Sequence, residues 1–306
     1  MRAVFVDGDA ASGRIFERLA QAGDPPVHIH LDPDVDPKTI PEVLAGAEIA
    51  IIDHSYLPTD VAKRCTGLKH VVFLGTGARS YMNPEELGEI GITVHTIKGY
   101  GDTAVAECAM ALMWESARGI ARMDREMRKG SWLRTESMQL TGKTLGLVGY
   151  GGIAAEVARM ASGIGMKVLG WNRTPRTAAN VTFVDIDTLL KESHVVSMHL
   201  LLNDETRGFL SAQRIAAMRK GAILVNTARA ALVDEPALVE ALDAGIVAAY
   251  AADVFEEEPP RSLALAGHRN VIATSHIGGF TEESVDRATE IAVANLLEAL
   301  DRAGRR

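Results

Sequence analysis

A glycine-rich turn between an apolar run and a helical pattern constrains this chain more than any other feature. Residues 145–157 read LGLVGYGGIAAEV, with Gly149, Gly151 and Ala154 in the spacing GxGxxG/A. The first glycine permits a tight turn, the second lets the backbone approach a pyrophosphate, and the small third residue permits close helix packing. The N-terminus of the helix then faces the anion. Such turns also arise for packing alone, but the strand before and the helix after this one favour dinucleotide binding.

The residues after the next predicted strand bear on which dinucleotide is bound. An NAD site takes a carboxylate about 20 residues beyond the glycine turn, where it binds the ribose hydroxyls. Here the strand MKVLGW is followed by Asn172, Arg173 and Thr174. Arg173 can pair with the extra phosphate of NADP, and the other two can donate hydrogen bonds to it. We therefore expect NADP(H) to be preferred, with help from Arg176, and NAD(H) stays open. The alternative is a solvated polar turn.

Strands and helices alternate on both sides of the glycine turn. Apolar runs lie at 4–6, 27–29, 49–52 and 71–74 before it, and at 167–171, 195–198, 222–226, 247–252 and 271–274 after it. This alternation predicts parallel sheets with helical crossovers. Residues 103–127 keep apolar residues at helical spacing and predict one long helix. Because 306 residues exceed one typical domain, we expect two α/β domains.

Composition excludes several classes of protein. The net charge of -8 leaves no basic surface for nucleic acid, so small metabolites are the better partners. Cys65 and Cys108 lie far apart without metal-ligand spacing, which argues against a metal site or disulfides and suits a reducing compartment. The N-terminus lacks an apolar stretch of signal-peptide or membrane-span length. We therefore expect a cytoplasmic protein.

Three later segments each place a reactive side chain just beyond a predicted strand. AILVNTARAALVDE contains Arg229, AAYAADVFEEEPP contains Glu258, and NVIATSHIGG contains His276. Ligands of open α/β sheets bind outside the carboxyl ends of the strands, so these residues can share one cleft. Reduction of a ketone needs a cation and a proton donor near the carbonyl oxygen, roles that suit the arginine and the histidine. The glutamate can orient the imidazole and raise its pKa. Each residue alone also has an ordinary structural explanation.

Together these segments resemble the D-isomer-specific 2-hydroxyacid dehydrogenase family. The resemblance lies in LGLVGYGGIAAEVA, HLLLNDETRGFL, LVNTARAALVDEPALVEAL, ADVFEEEPP and TSHIGGFT, and it spans roughly residues 67 to 285. In that family the arginine of NTAR holds the substrate, and the histidine before IGG is the acid/base, assisted by the acid of DVFxxEP. The resemblance thus assigns these roles to Arg229, His276 and Glu258.

The resemblance also implies the residues that bind substrate and cofactor. The backbone N–H groups of Thr76 and Gly77, within LGTGARS, correspond to the loop that holds the substrate carboxylate. Asp253 corresponds to the residue that contacts the nicotinamide carboxamide. The expected cofactor-binding residues are Gly149, Gly151, Gly152, Ile153, Asn172, Arg173, Thr174, Leu200, Thr206, Thr227, Ala228, Asp253, His276 and Gly278. No metal is expected.

The architecture implied by the family has a discontinuous first domain. The final helix returns to the N-terminal part, so residues 1–98 and 281–306 form a flavodoxin-like substrate domain, and residues 99–280 form the inserted Rossmann domain. Such enzymes are commonly homodimers through the nucleotide domain. The helix that begins near Thr103 and the segment around Trp132 are then expected to face a partner, although Trp132 can equally be internal core.

Four residues depart from the family pattern or compete with the assignment. Ala230 stands where many members have glycine, and it would strain the loop if that position needed a positive φ. Arg79 replaces the usual acid after the substrate loop, and Ser275 replaces a common proline. His199 corresponds to a position near the cofactor, but nothing in the sequence pairs it with Glu258.

The predicted function is an NAD(P)H-dependent oxidoreductase of class EC 1.1.1. It interconverts a small 2-keto acid, such as glyoxylate or hydroxypyruvate, and its D-2-hydroxy acid. A formate dehydrogenase is disfavoured because such relatives carry glutamine in place of Glu258, and a long phosphoglycerate dehydrogenase because no regulatory domain follows residue 306. The alternative is a dinucleotide-binding sensor or corepressor without turnover.

Overall fold

Two compact α/β units make up the chain. The computed structural model describes residues 2–19, 26–32 and 35–304. One unit contains Met1–Gly101 and Glu282–Arg306, and the other contains Asp102–Thr281. The expected substrate domain also includes residues 1, 20–25, 33–34, 305 and 306, which lie outside the described residues.

The first unit has a five-stranded parallel sheet in the order β2-β1-β3-β4-β5. Its strands are β1 (Ala3–Phe5), β2 (Val27–Ile29), β3 (Ile49–Ile52), β4 (His70–Phe73) and β5 (Thr93–Thr96). Its helices are α1 (Ala10–Leu19), α2 (Ile40–Val43), α3 (Thr59–Ala62), α4 (Pro84–Glu89) and, at the end of the chain, α11 (Glu282–Gly304). Helix α11 packs against α1 and β4, where Ala292 is buried beside Phe5 and Phe16. The last helix therefore belongs to the N-terminal unit.

The second unit has a seven-stranded parallel sheet in the order β12-β11-β10-β9-β6-β7-β8. Its strands are β6 (Thr144–Val148), β7 (Lys167–Trp171), β8 (Thr182–Phe183), β9 (Val195–Met198), β10 (Ala222–Asn226), β11 (Val247–Ala252) and β12 (Val271–Ala273). Its helices are α5 (Asp102–Arg118), α6 (Ile120–Arg128), α7 (Gly152–Gly163), α8 (Ile186–Glu192), α9 (Ala212–Ala216) and α10 (Glu235–Asp243). Buried apolar clusters cover both faces of the sheet, as a parallel sheet requires.

The strand order of the second unit determines where a ligand can bind. The chain runs from β6 outward to β7 and β8, and then returns to the other side of β6 with β9. The crevice between the carboxyl ends of β6 and β9 is therefore the topological switch point, where open α/β sheets bind ligands. The predicted fold class, two α/β domains built on parallel sheets, is confirmed.

The prediction of one long helix over residues 103–127 is wrong. Gly119 has a φ of 64° and separates α5 from α6. The Glu115 carboxylate then accepts the N–H of Ala121, at 2.9 Å, in the first turn of α6. A left-handed glycine stops a helix even where the apolar spacing continues. Two short strands, β5 and β8, were not among the predicted runs, because each contains a single strongly apolar residue.

Candidate active site

The glycine turn follows β6 at the switch point, and its glycines are required for different reasons. Gly149 has a φ of 91°, and a Cβ there would lie 2.7 Å from the carbonyl oxygen of His199. Gly151 precedes α7 and has open space around its missing Cβ. A Cβ on Gly152 would overlap the carboxylate of Asp102. The first and third of these glycines therefore serve close packing, and the second leaves room outside the N-terminus of α7.

Two hydrogen bonds tie the glycine turn to the end of β7. The N–H of Gly149 donates to the Trp171 carbonyl at 2.9 Å, and the N–H of Tyr150 donates to Oδ1 of Asn172 at 3.1 Å. The Asn172 side chain also donates from Nδ2 to the carbonyl of Thr174, at 2.8 Å. Both ends of its amide are thus engaged by the backbone. Asn172 shapes the turn, which leaves Arg173 as the charged group beside it.

An ion pair joins Arg173 to Glu205, in the loop after β9. Both side chains are exposed. Sequence analysis did not single out Glu205, although the acids of HLLLNDETRGFL stand directly beyond a predicted strand. Arg176 forms no ion pair with any residue in the described part of the chain. Two guanidinium groups therefore follow β7, and one of them is paired with a carboxylate from the loop after β9.

The loop after β9 holds two further expected cofactor residues. Leu200 lies against the glycine turn, since a Cβ on Gly149 would be 3.0 Å from its Cδ2. The Thr206 hydroxyl donates to the Leu201 carbonyl at 2.7 Å and accepts the N–H of Asn203 at 2.8 Å. Thr206 therefore stabilises the loop through its own hydroxyl group.

Arg229 follows β10 in a turn organised by a buried asparagine. The fully buried Asn226 donates from Nδ2 to the Arg229 carbonyl at 2.9 Å and accepts the N–H of Ala228 at 3.0 Å. Sequence analysis missed this role, although asparagine commonly bonds the backbone two residues on. Ala230 begins a short 3-10 helix and has no positive φ, so the strain considered for alanine does not arise.

Asp253 follows β11 and holds the loop that carries His276. Its buried carboxylate accepts the Thr274 hydroxyl at 2.6 Å and the N–H groups of Ile277 at 2.9 Å and Gly278 at 2.7 Å. These three donors lie on both sides of His276. The resemblance implied a contact with nicotinamide for Asp253, and the structure adds an anchoring role within the protein.

His276 and Glu258 are directly paired. Nδ1 of His276 lies 2.6 Å from Oε2 of Glu258, whose other oxygen accepts the N–H of Phe255 at 3.0 Å. His276 has a φ of 55°. This backbone conformation is energetically unfavourable for residues other than glycine, and such residues occur most often at functional sites. Burial raises the pKa of Glu258, but the hydrogen bonds from His276 and Phe255 and the charges of His276 and Arg229 outweigh it and lower that pKa. Arg229, Glu258 and His276 thus share one electrostatic environment.

The imidazole of His199 bonds to Ser197, whereas Glu258 bonds to His276. Nε2 of His199 is 2.9 Å from the Ser197 hydroxyl, and burial lowers the pKa of His199 to about 4. The imidazole is therefore neutral at neutral pH, which makes it a poor proton donor.

The expected substrate loop lies in the first unit, after β4. Thr76 is exposed, and Gly77 precedes a 3-10 helix in which the N–H of Ser80 donates to its carbonyl at 3.0 Å. Arg79, the departure from the family pattern, pairs with Glu85 at the exposed surface. Its charge is thus partly neutralised within this unit.

The second unit fits a nicotinamide dinucleotide on its own geometry. The open space at Gly151 lies outside the first turn of α7, where helical N–H groups have no partner within the helix. The Thr227 hydroxyl is buried and has no hydrogen-bond partner among the described residues, so it can form a hydrogen bond to a ligand.

Within the described ranges, no cluster of three metal-ligating side chains occurs, and no helix is long and apolar enough to cross a membrane.

Comparison with known proteins identifies the family to which the chain is similar. Residues 110–278 match the family model "D-isomer specific 2-hydroxyacid dehydrogenase, NAD binding domain". The chain is 38% identical over 264 residues to the hydroxypyruvate reductase of Thermotoga maritima, which covers 84% of this chain and 85% of that one. It is 38% identical over 226 residues to the glyoxylate reductase of Thermococcus litoralis, with 70% and 68% covered. The crystal structure of a glyoxylate reductase from Paecilomyes thermophila aligns with a TM-score of 0.85 and 27% identity, over 99% of this chain and 96% of that one.

Proposed function

The chain belongs to the D-isomer specific 2-hydroxyacid dehydrogenase family, and on that premise we propose which reaction its residues perform. It interconverts a small 2-keto acid of the glyoxylate or hydroxypyruvate type and its D-2-hydroxy acid, with NADP(H) preferred over NAD(H). The observation that carries the proposal is the cluster of Arg229, Glu258 and His276 at the carboxyl edge of the second sheet. The names of the relatives support the substrate class.

His276 is the proton donor in the direction of reduction. Its Nδ1 is engaged by Glu258, so Nε2 is the ring atom left to face the substrate. An ionised carboxylate only accepts hydrogen bonds, so Nδ1 carries a hydrogen, and a protonated imidazole carries a second one on Nε2. When bound, the reduced dinucleotide supplies a hydride to the carbonyl carbon. The proton from Nε2 then goes to the carbonyl oxygen, which completes the hydroxyl group.

Arg229 holds the substrate and stabilises charge. Its guanidinium presents planar donors that match a carboxylate and also favour negative charge developing on the adjacent oxygen. The turn organised by Asn226 keeps the backbone of Arg229 in place before substrate arrives. By resemblance to the family, the N–H groups of Thr76 and Gly77 are also proposed to bind the substrate carboxylate.

The preference for NADP(H) rests on the charges beside the glycine turn. Gly149, Gly151, Gly152 and Ile153 would hold the pyrophosphate, and Arg173 would pair with the 2′-phosphate. Arg176 adds a second cation close in sequence, whereas an NAD site would have an acid at the end of β7.

A panel of 2-keto acids assayed with NADPH and with NADH tests this function. We expect oxidation of the reduced cofactor with glyoxylate or hydroxypyruvate, and a higher kcat/KM with NADPH. A clear preference for NADH would overturn the cofactor assignment alone. Tight dinucleotide binding without turnover of any acid would instead support the sensor alternative.

We also propose that the enzyme is a cytoplasmic homodimer. Trp132, Ile120 and Met127 expose 77%, 59% and 53% of their surface on the second unit, and a contact between nucleotide domains would cover such residues. The two free cysteines suit a reducing compartment. Light scattering after size-exclusion chromatography should give twice the chain mass, and Trp132→Asp should shift it toward the monomer.

A further inference from the structure

We propose that Glu205 determines how strongly the enzyme prefers NADP(H), by holding Arg173 and by supplying the carboxylate that is missing from the end of β7. This inference rests on the proposed function, because it concerns the ribose part of the same cofactor site. It assigns a specificity role to Glu205, which lies in the motif HLLLNDETRGFL but was given no role from the sequence.

The Arg173–Glu205 pair joins the two loops that flank the glycine turn. Strand β6 lies between β7 and β9, and Arg173 follows β7 while Glu205 belongs to the loop after β9. The carboxyl ends of parallel strands face the same edge of the sheet. An ion pair between these two loops therefore lies beside the turn that receives the dinucleotide.

The backbone of Glu205 is fixed by its own loop. Oδ1 of Asn203 accepts the N–H groups of Glu205 and Thr206, each at 3.0 Å. The Thr206 hydroxyl closes the loop onto Leu201. Because internal hydrogen bonds hold the loop, the backbone of Glu205 keeps its position without a ligand, and its side chain pairs with Arg173 from that position.

The charge of this carboxylate acts in opposite directions on the two cofactors. A 2′-phosphate, carrying about two negative charges at neutral pH, must compete with Glu205 for the Arg173 guanidinium. A free ribose 2′-hydroxyl can instead donate a hydrogen bond to the Glu205 carboxylate, as it does to the acid of an NAD site. Glu205 therefore weakens binding of NADP(H) and favours NAD(H), while Arg173 does the reverse.

The side chains of Arg173 and Glu205 are 72% and 70% exposed. Solvent therefore screens the effect of the Glu205 charge on ligand binding. Removing one exposed negative charge should change the Kd of a 2′-phosphate ligand by roughly five- to tenfold at low salt. The change should shrink as ionic strength increases.

Calorimetric titration with adenosine 2′,5′-bisphosphate and with 5′-AMP tests the inference without any turnover. Glu205→Gln should tighten binding of the bisphosphate roughly five- to tenfold, and it should weaken binding of 5′-AMP. The effect of Glu205→Gln should be smaller in a background of Arg173→Gln, because competition for the guanidinium is then absent and only the repulsion between Glu205 and the phosphate remains. Glu256→Gln, which removes an exposed carboxylate 3.8 Å from Arg207, is the matched control and should not change the affinity for either ligand.

The result that overturns the inference is an unchanged or weaker affinity of Glu205→Gln for the bisphosphate. That result leaves the dehydrogenase assignment standing if the variants still turn over 2-keto acids. Conversely, the enzyme could turn over no 2-keto acid while Glu205→Gln binds the bisphosphate more tightly. The proposed reaction would then be wrong, and the role of Glu205 in nucleotide selection would stand.

Discussion

His276 and Glu258 are 18 positions apart in the chain, yet Nδ1 of the histidine lies 2.6 Å from Oε2 of the glutamate. The histidine reaches this position with a left-handed backbone, in a loop held on both sides by the buried Asp253 carboxylate. A non-glycine residue stays in such a conformation only where surrounding contacts hold it there. The site is thus organised before any ligand binds.

Replacing the histidine should remove the proton donor. His276→Gln is expected to lower kcat about 100- to 10,000-fold, the usual contribution of a general acid, with dinucleotide binding largely retained. Steady-state assays and calorimetry measure the two effects. His268→Gln, which removes an imidazole 3.3 Å from Asp243, is the control and should keep full activity. Near-full turnover in His276→Gln together with inactivity of His199→Gln would move the acid/base role to His199.

The pairing of Glu258 should contribute to stability only where its carboxyl is ionised. Its folded-state pKa lies below the ordinary value of 4.5, so the contribution is complete above that pH and is lost as pH falls through the lower folded value. Thermal unfolding should show wild type more stable than Glu258→Gln at pH 7, with the gap closing in acid below pH 4.5. Glu257→Gln, which alters an exposed pair with Arg261, should show no such gap. A stability difference between wild type and Glu258→Gln that increases in acid would contradict the lowered pKa of Glu258.

The glycine turn offers a matched pair of substitutions. Gly149→Ala should destabilise the protein by about 1–3 kcal/mol, because alanine is strained at its φ and its Cβ meets a carbonyl oxygen. Gly151→Ala should leave the Tm close to wild type, since its Cβ meets no protein atom within 4 Å. Both should weaken NADPH binding, measured by fluorescence titration. Full NADPH affinity in Gly151→Ala would show that the pyrophosphate binds elsewhere.

Asp253 should affect activity through the position of His276. In Asp253→Asn, an NH₂ group replaces one acceptor oxygen. If it replaces Oδ2, the buried N–H of Gly278 loses its partner at a cost of about 1–3 kcal/mol. We expect a lower Tm, faster amide exchange at Ile277 and Gly278, and a lower kcat. Asp243→Asn, at an exposed position, is the control. Unchanged amide exchange with reduced cofactor affinity would instead favour direct contact with nicotinamide.

His199 should make stability depend on pH in a separate window. Its folded pKa of about 4 lies below the ordinary 6.5, so the unfolded chain takes up the proton first as pH falls. Wild type should therefore lose up to about 3 kcal/mol between pH 6.5 and pH 4, where the loss levels off. Denaturant titrations should show a smaller slope in His199→Gln than in wild type, because burial also lowers the pKa values of His70 and His194 and these residues keep part of the slope. The exposed His28→Gln variant should keep the slope of wild type. An equal slope in all three proteins would contradict the lowered pKa of His199.

Much of the fold was accessible from local patterns. The apolar runs and the glycine turn predicted the parallel sheets, because strand periodicity and the turn requirements of Gly149 act over a few residues. The break at Gly119 was missed because apolar spacing continues across it, and only the backbone conformation reveals it.

The amino-acid sequence by itself determined which reactive side chains follow which strands: Arg229 after β10, Asp253 after β11 and His276 after β12. Only the tertiary structure decided their partners, because β10, β11 and β12 lie side by side in an order that no local segment encodes. That order brings Asp253 to a loop more than 20 residues away, and the position of β6 between β7 and β9 brings Glu205 to Arg173. Hydrogen bonds and ion pairs act over a few ångströms of space, whatever the separation of their partners along the chain.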